Sequence, residues 1–204
     1  MQRSAPQMRR RWSRSVRSEM SKGQASGRLF ENRIVIWDIE TSRRLFREGY
    51  YGKPLGIPKP KDFEFTAPLI LDLMEAYYLA KKKVLRIESE KGERLGAVEM
   101  EKICLRSYTD FAEKYLVYKH LREVGYVVTP GIKFGSDFAV YEHGPGIDHA
   151  PYIVQVMKPG SPITATSLVR SGRLATTVKK QFIIAIADAK KAAVDYLRYD
   201  WWRA

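Results

Sequence analysis

An α/β (α+β) fold made of two mixed units is expected for this chain, on three observations. The 204 residues are 45% hydrophobic, enough to give each of two small domains a core of its own. Strand-like and helix-like runs alternate along the chain instead of segregating. A single cysteine, Cys104, precludes an intrachain disulfide. It lies in an apolar helical pattern and reads as a small buried hydrophobe.

In chain order, residues 1–28 hold Arg3, Arg9, Arg10, Arg11, Arg14, Arg17, Lys22 and Arg28 against Glu19 alone. Such a segment has too little apolar content for a core and reads as a disordered basic tail. Residues 29–37 read as a strand. Tyr51, Gly52, Lys53, Pro54, Leu55 and Gly56 are loop punctuation. Thr66 is placed to cap a helix over 67–83, with Leu69, Leu73, Ala76, Tyr77 and Ala80 at helical spacing. A short strand over 84–87 and a helix over 99–106 complete an N-terminal αβ unit, 29–106. The second unit, 107–204, opens with an amphipathic helix over 110–124, with Phe111, Tyr115, Tyr118 and Leu121 on one face and Gly125 closing it. Strands follow over 126–128, 138–141 and 152–157, with a Gly/Pro loop over 142–148. A long helical zone, 167–189, is broken at Gly172, and a final strand covers 194–202. No internal repeat is visible.

Charge narrows the function classes. Lys and Arg number 36 against 23 Asp and Glu, a formal net charge of +13. A protein this basic meets a polyanion, commonly nucleic acid. The tail reads either as an electrostatic arm for RNA or as an idle extension. No apolar run approaches the ~18 residues of a membrane span. No apolar segment follows the basic N-terminus, so no secretory signal is read and a cytoplasmic location is expected. Three histidines and one cysteine show no ligand spacing, so neither a metal site nor a cofactor is expected.

Three side chains stand out in the last third. Tyr141 ends the run Lys133-Phe134-Gly135-Ser136-Asp137-Phe138-Ala139-Val140-Tyr141. His149 heads His149-Ala150-Pro151-Tyr152-Ile153-Val154 at a loop–strand junction, held at its base and open at its tip. Lys180 closes Arg173-Leu174-Ala175-Thr176-Thr177-Val178-Lys179-Lys180. A hairpin-like return brings Tyr141 and His149 near each other. Arg173 lies seven residues before Lys180, on the same face of the expected helix, so both can address one phosphate backbone. A phenol, an imidazole and an ammonium suffice for metal-free RNA cleavage: one group takes a proton, one gives a proton, one holds charge on the phosphate. Of the other histidines, His120 reads as a surface or structural residue and His143 as a loop residue.

These frames resemble the archaeal tRNA-intron splicing endonucleases and the related eukaryotic catalytic subunits. The resemblance runs from about Tyr108 to Trp202, through Tyr115 to Val128 and Gly131 to Phe138. It is weaker over residues 29–84, where Tyr51 to Gly56 and Leu71 to Leu79 carry it. It implies a C-terminal restriction-endonuclease-like domain with a central mixed sheet flanked by helices. It also implies metal-independent excision of introns from precursor tRNA at bulge-helix-bulge sites, leaving 2′,3′-cyclic phosphate and 5′-hydroxyl ends. Tyr141 would act on the ribose 2′-hydroxyl as base or positioner. His149 would protonate the leaving 5′-oxygen, and Lys180 would stabilise the phosphorane. Arg173 and Arg203 would grip a bulged nucleotide, with Arg198 competing for the second place.

One departure concerns assembly. Members that assemble with themselves carry an acidic loop that docks into a basic pocket of another subunit. Here the corresponding segment, 157–164, has one lysine and no acid. A two-plus-two heterotetramer with a non-catalytic, acidic-loop partner is therefore expected. Two rival readings remain at this point. A metal-dependent restriction-like nuclease would use Asp137 but finds no carboxylate over 154–158. A non-catalytic RNA-binding subunit would lack part of the triad.

Overall fold

The computed structural model describes residues 23–199 apart from 59, 61, 148, 167, 168, 170, 171, 174–176 and 178. The chain divides into two compact units, Met1–Thr109 and Asp110–Ala204.

The first unit is built on a six-stranded mixed sheet in the order β3-β4-β2-β1-β5-β6. β1 (Ala25–Phe30) and β2 (Arg33–Ile36) form an antiparallel hairpin, while β1 runs parallel to β5 (Leu85–Glu88). The expected strand over 29–37 is thus two strands. The chain reverses at Glu31, whose φ is 50°, and β1 begins inside the segment read as tail. Short strands β3 (Lys53–Pro54) and β6 (Arg94–Leu95) form the edges. Helix α1 (Ile39–Gly49), not anticipated, starts where Asp38 accepts from the Thr41 amide at 2.8 Å.

The helix expected over 67–83 from a Thr66 cap is also two elements. Leu69–Asp72 is strand β4, and α2 spans Leu73–Lys81. Leu69 and Leu71 alternate into the core at 0% exposure, a period of two that wins over the helical spacing. Asp72 then caps α2 in a reciprocal box with Glu75. Gly52, at φ +69°, lies so close that a Cβ would sit 2.6 Å from the Ile70 carbonyl, and its amide donates to buried Glu75 at 3.2 Å. Helix α3 (Ala97–Ser107) buries Cys104, as expected; burial pushes that thiol up to about 12. Ile34, Ile36, Leu85 and Ile87 join Leu69 and Leu71 on one buried sheet face. Ser26, Arg28, Phe30, Arg33 and Arg86 alternate onto the other, exposed face.

The second unit is a five-stranded mixed sheet in the order β11-β10-β9-β8-β7. Its strands are β7 (Val127–Pro130), β8 (Phe138–Tyr141), β9 (Tyr152–Met157), β10 (Gln181–Asp188) and β11 (Ala193–Tyr199). β9 and β10 run parallel and the other pairs are antiparallel. Helix α4 (Phe111–Val124) covers one face, with Tyr118 against Phe138. It ends at Gly125, whose φ is 112°. Ile153, Phe182 and Ile184 form the core of the opposite face with Phe134, Met157 and Ile186.

The expected helical zone over 167–189 needs correction. Among the described residues, 165, 166, 169, 172, 173 and 177 are helical, and Lys179 turns at φ 53°. From Gln181 the chain is the strand next to the sheet's edge strand β11. The apolar run there suits a helix and a strand buried on both faces equally, and periodicity does not separate the two. Among the described residues no helix is long and apolar enough to cross a membrane.

Candidate active site

Sheet register converges the candidate residues on one edge. Val140 stands opposite Tyr152, and Tyr152 opposite Gln181. One step further, Tyr141, Pro151 and Lys180 fall in a single row at the end of β8, β9 and β10. Alternation sets Tyr141 and Lys180 on the face of Ile153 and Phe182. Neighbouring strands lie about 4.8 Å apart, so Tyr141 and Lys180 are about 10 Å apart at the backbone, a gap that long side chains converging on one phosphate can close.

Lys180 is half-buried and its ammonium is held on two sides. Nζ donates to the Ala150 carbonyl at 2.5 Å and lies 5.0 Å from the centroid of the Phe134 ring. Ala150 is buried and follows exposed His149 directly. The lysine is thereby tied to the backbone that carries the imidazole. The Gln181 amide donates to the Pro151 carbonyl at 2.8 Å, extending the parallel ladder to this edge. His149 itself stands open to solvent at the end of the loop that leaves Tyr141.

That loop is tied at its base. Glu142 follows Tyr141, and the Tyr152 hydroxyl donates to Glu142 Oε1 at 3.1 Å. Tyr126 packs edge-on against Tyr152 at 6.0 Å. Burial, then the bond to Glu142, holds the Tyr152 phenol above its ordinary range, and burial followed by the Glu142 charge does the same to Tyr126. The sequence pattern did not single out this Tyr126–Tyr152–Glu142 set; the only signal was the placing of Glu142 and Tyr152 just outside Tyr141 and His149.

Other candidates fall differently. Arg173 is exposed and helical, and its carbonyl accepts from Thr177 at 2.9 Å. The helix ends before Lys180, so the two do not share a helix face. Arg203 lies outside the described residues. Arg198 stands opposite Ile183 on β11, on the face of Tyr152 rather than that of Lys180. His143 is exposed in the loop, and His120 bonds the Tyr196 hydroxyl through Nδ1 at 2.8 Å with the rings stacked, a structural contact. Asp137, the carboxylate that a restriction-like nuclease would use, is engaged elsewhere. It pairs with Lys114 at 2.8 Å and accepts from Gln155 Nε2 at 2.8 Å and the Val156 amide at 2.7 Å.

The tRNA intron endonuclease N-terminal domain model matches residues 25–101, and the tRNA intron endonuclease catalytic C-terminal domain model matches residues 111–196. Curated relatives are alike over most of their length. A tRNA-splicing endonuclease of Hyperthermus butylicus is 46% identical over 169 residues, covering 83% of this chain and 93% of that protein. Proteins of the same name from Pyrobaculum arsenaticum and Sulfurisphaera tokodaii are each 42% identical, covering 83% and 86% of this chain and 94% and 97% of their own. With both domain models matched in order, and with this identity across most of its length, the chain is an endonuclease that belongs to the tRNA intron endonuclease family.

Proposed function

We propose that this chain is the catalytic subunit of an enzyme that excises introns from precursor tRNA at bulge-helix-bulge sites, without a metal. The observation that carries the reading is the single row of Tyr141, Pro151 and Lys180, with the Lys180 ammonium bonded to the carbonyl beside His149. Tyr141 takes or orients the proton of the ribose 2′-hydroxyl. The 2′-oxygen attacks the adjacent phosphorus, which needs no external nucleophile. The bond from phosphorus to the 5′-oxygen breaks, and His149 delivers a proton to that oxygen. Lys180 neutralises the charge that develops on the phosphorane. The products are a 2′,3′-cyclic phosphate and a 5′-hydroxyl. Arg173 and Arg203 stack on the bulged base from either side, a task for which guanidinium planes are suited.

The assembly follows from loop chemistry. Residues 157–164 contain no carboxylate, and their one charged group, Lys158, is paired with Asp110 at 2.6 Å. This loop has no acid with which to fill a basic pocket, so a second, non-catalytic chain with an acidic loop completes a two-plus-two heterotetramer. The test is incubation of a bulge-helix-bulge precursor tRNA with this chain and its partner in excess chelator. Cut products with cyclic-phosphate ends are expected, and products with linear phosphates or dependence on added metal would refute the reading.

A further inference from the structure

Among the described residues, one face of the N-terminal sheet stays open, and its side chains are unusual for a face turned to water. β1 and β2 are the two central strands; Phe30 ends β1 and Trp37 directly follows β2, 38% and 58% exposed. The two rings meet edge to face at 6.4 Å. Around them on the same face stand Arg28 and Arg33, and Arg86 on the adjoining β5, with side chains 44%, 55% and 49% exposed. Val35 lies between them, opposite Arg28.

The charge is sparsely countered. Glu88 is shared by Arg28 at 3.8 Å and Arg86 at 3.2 Å, and Asp72 faces Arg33 at 3.0 Å. Three guanidinium groups thus share two carboxylates, in exposed pairs that hold their partners weakly. A guanidinium has five N–H donors, so one carboxylate leaves several for a phosphate. β1 is also the strand reached directly from the basic run Arg9, Arg10, Arg11, Arg14, Arg17 and Lys22. Exposed aromatics on the central strands of a sheet, rimmed by arginines, are the composition that stacks unpaired bases while the rim holds their phosphates. A protein partner would find a charged rim with few apolar neighbours beyond the ring pair.

We infer that this open face is a second RNA-binding site, separate from the cleavage edge, which takes unpaired nucleotides by stacking on Trp37 and Phe30 with phosphates on Arg28, Arg33 and Arg86. The choice of RNA as the polyanion rests on the reading of the chain as a precursor-tRNA enzyme; the geometry of the face does not.

The test uses the full chain and a fluorescein-labelled single-stranded RNA of about ten nucleotides, read by anisotropy at several salt concentrations. Trp37→Ala should weaken binding about 10-fold, the scale of one unstacked base. Phe30→Ala should act in the same direction and serves where the first variant folds poorly, as judged by its melting temperature. Arg28→Gln with Arg86→Gln should lower the slope of log affinity against log salt by about 1.4, roughly 0.7 for each phosphate no longer neutralised on a single strand. Unchanged affinity in both aromatic variants, or an unchanged slope in the arginine pair, overturns the inference. So does a face whose variants lose a protein partner while keeping RNA affinity. These outcomes stand apart from cleavage: absence of cyclic-phosphate ends with the wild type would sink the active-site reading and leave this binding result to be judged by itself.

Discussion

Lys180 and His149 have environments that set distinct tests. The lysine is gripped by the Ala150 carbonyl and the Phe134 face, whereas the imidazole is exposed. His149→Ala should therefore slow the cleavage step by roughly 10²–10⁴-fold while leaving RNA affinity nearly intact, measured by single-turnover kinetics beside a binding titration. Damage from His143→Ala instead would show the loop assignment to be wrong. Tyr152→Phe keeps the ring against Tyr126 but removes the bond to Glu142. It should lower kcat on the order of 10-fold with KM unchanged, through looser placing of Tyr141 and His149; an equal loss in KM would point to substrate binding instead. The candidate side chains stood out in the sequence because each sits in a distinctive local frame. Arg122 did not. It is fully buried on the inner face of α4, its Nε on the Tyr118 hydroxyl at 3.0 Å and its Nη2 on the Val128 carbonyl at 2.9 Å. In the sequence it is one charged residue among five in an amphipathic helix, since the acceptors that make its burial tolerable come from packing. Arg122→Ala should cost about 3 kcal/mol in a denaturant titration, because it strips two buried acceptors of a charged donor.

At the scale of elements, the instructive misreading is β10. Phe182 to Ala187 is apolar on both faces because β9 and β11 flank the strand and both sheet faces are covered near it. No alternation survives to mark it, and the helical residues before it invite continuation. The turn at Lys179, φ 53°, is what separates them. The correction matters for function. A helical Lys180 would share a face with Arg173, whereas a Lys180 leading into β10 shares a sheet row with Tyr141. Helix α1 was missed for a different reason: its start depends on a single cap. Two bonds from Thr41, side chain first, hold the Asp38 carboxyl below its ordinary range. A folded-state value below the unfolded one, about 3.9, gives stability that is present above pH ~4 and lost as pH falls through the folded value. Asp38→Ala should cost about 1 kcal/mol at neutral pH, and the gap to wild type should close in melts below pH ~4. A gap independent of pH would mean that the carboxylate is not the cap.

Taken as a molecule, the chain showed its two-unit α/β character and its basic balance in composition and pattern alone. The candidate edge was legible only as three separate frames. Their convergence depends on long-range register, Val140 to Tyr152 to Gln181, which pairs strands separated by a loop and a helix. The assembly prediction belongs here as well. Light scattering on the isolated chain should show no stable, fully active homotetramer, and activity should rise sharply when an acidic-loop partner is added; a homotetramer that cleaves at full rate would show that another surface joins the subunits. The central claim is that one sheet edge cuts RNA with His149 as the proton donor to the leaving 5′-oxygen. Its most direct measurement replaces that oxygen by sulfur in the substrate, since a thiolate leaves without protonation. With the sulfur substrate, His149→Ala should cleave at close to the wild-type rate, while Lys180→Ala should stay slow. If His149→Ala remains as slow with sulfur as with oxygen, His149 is not the general acid.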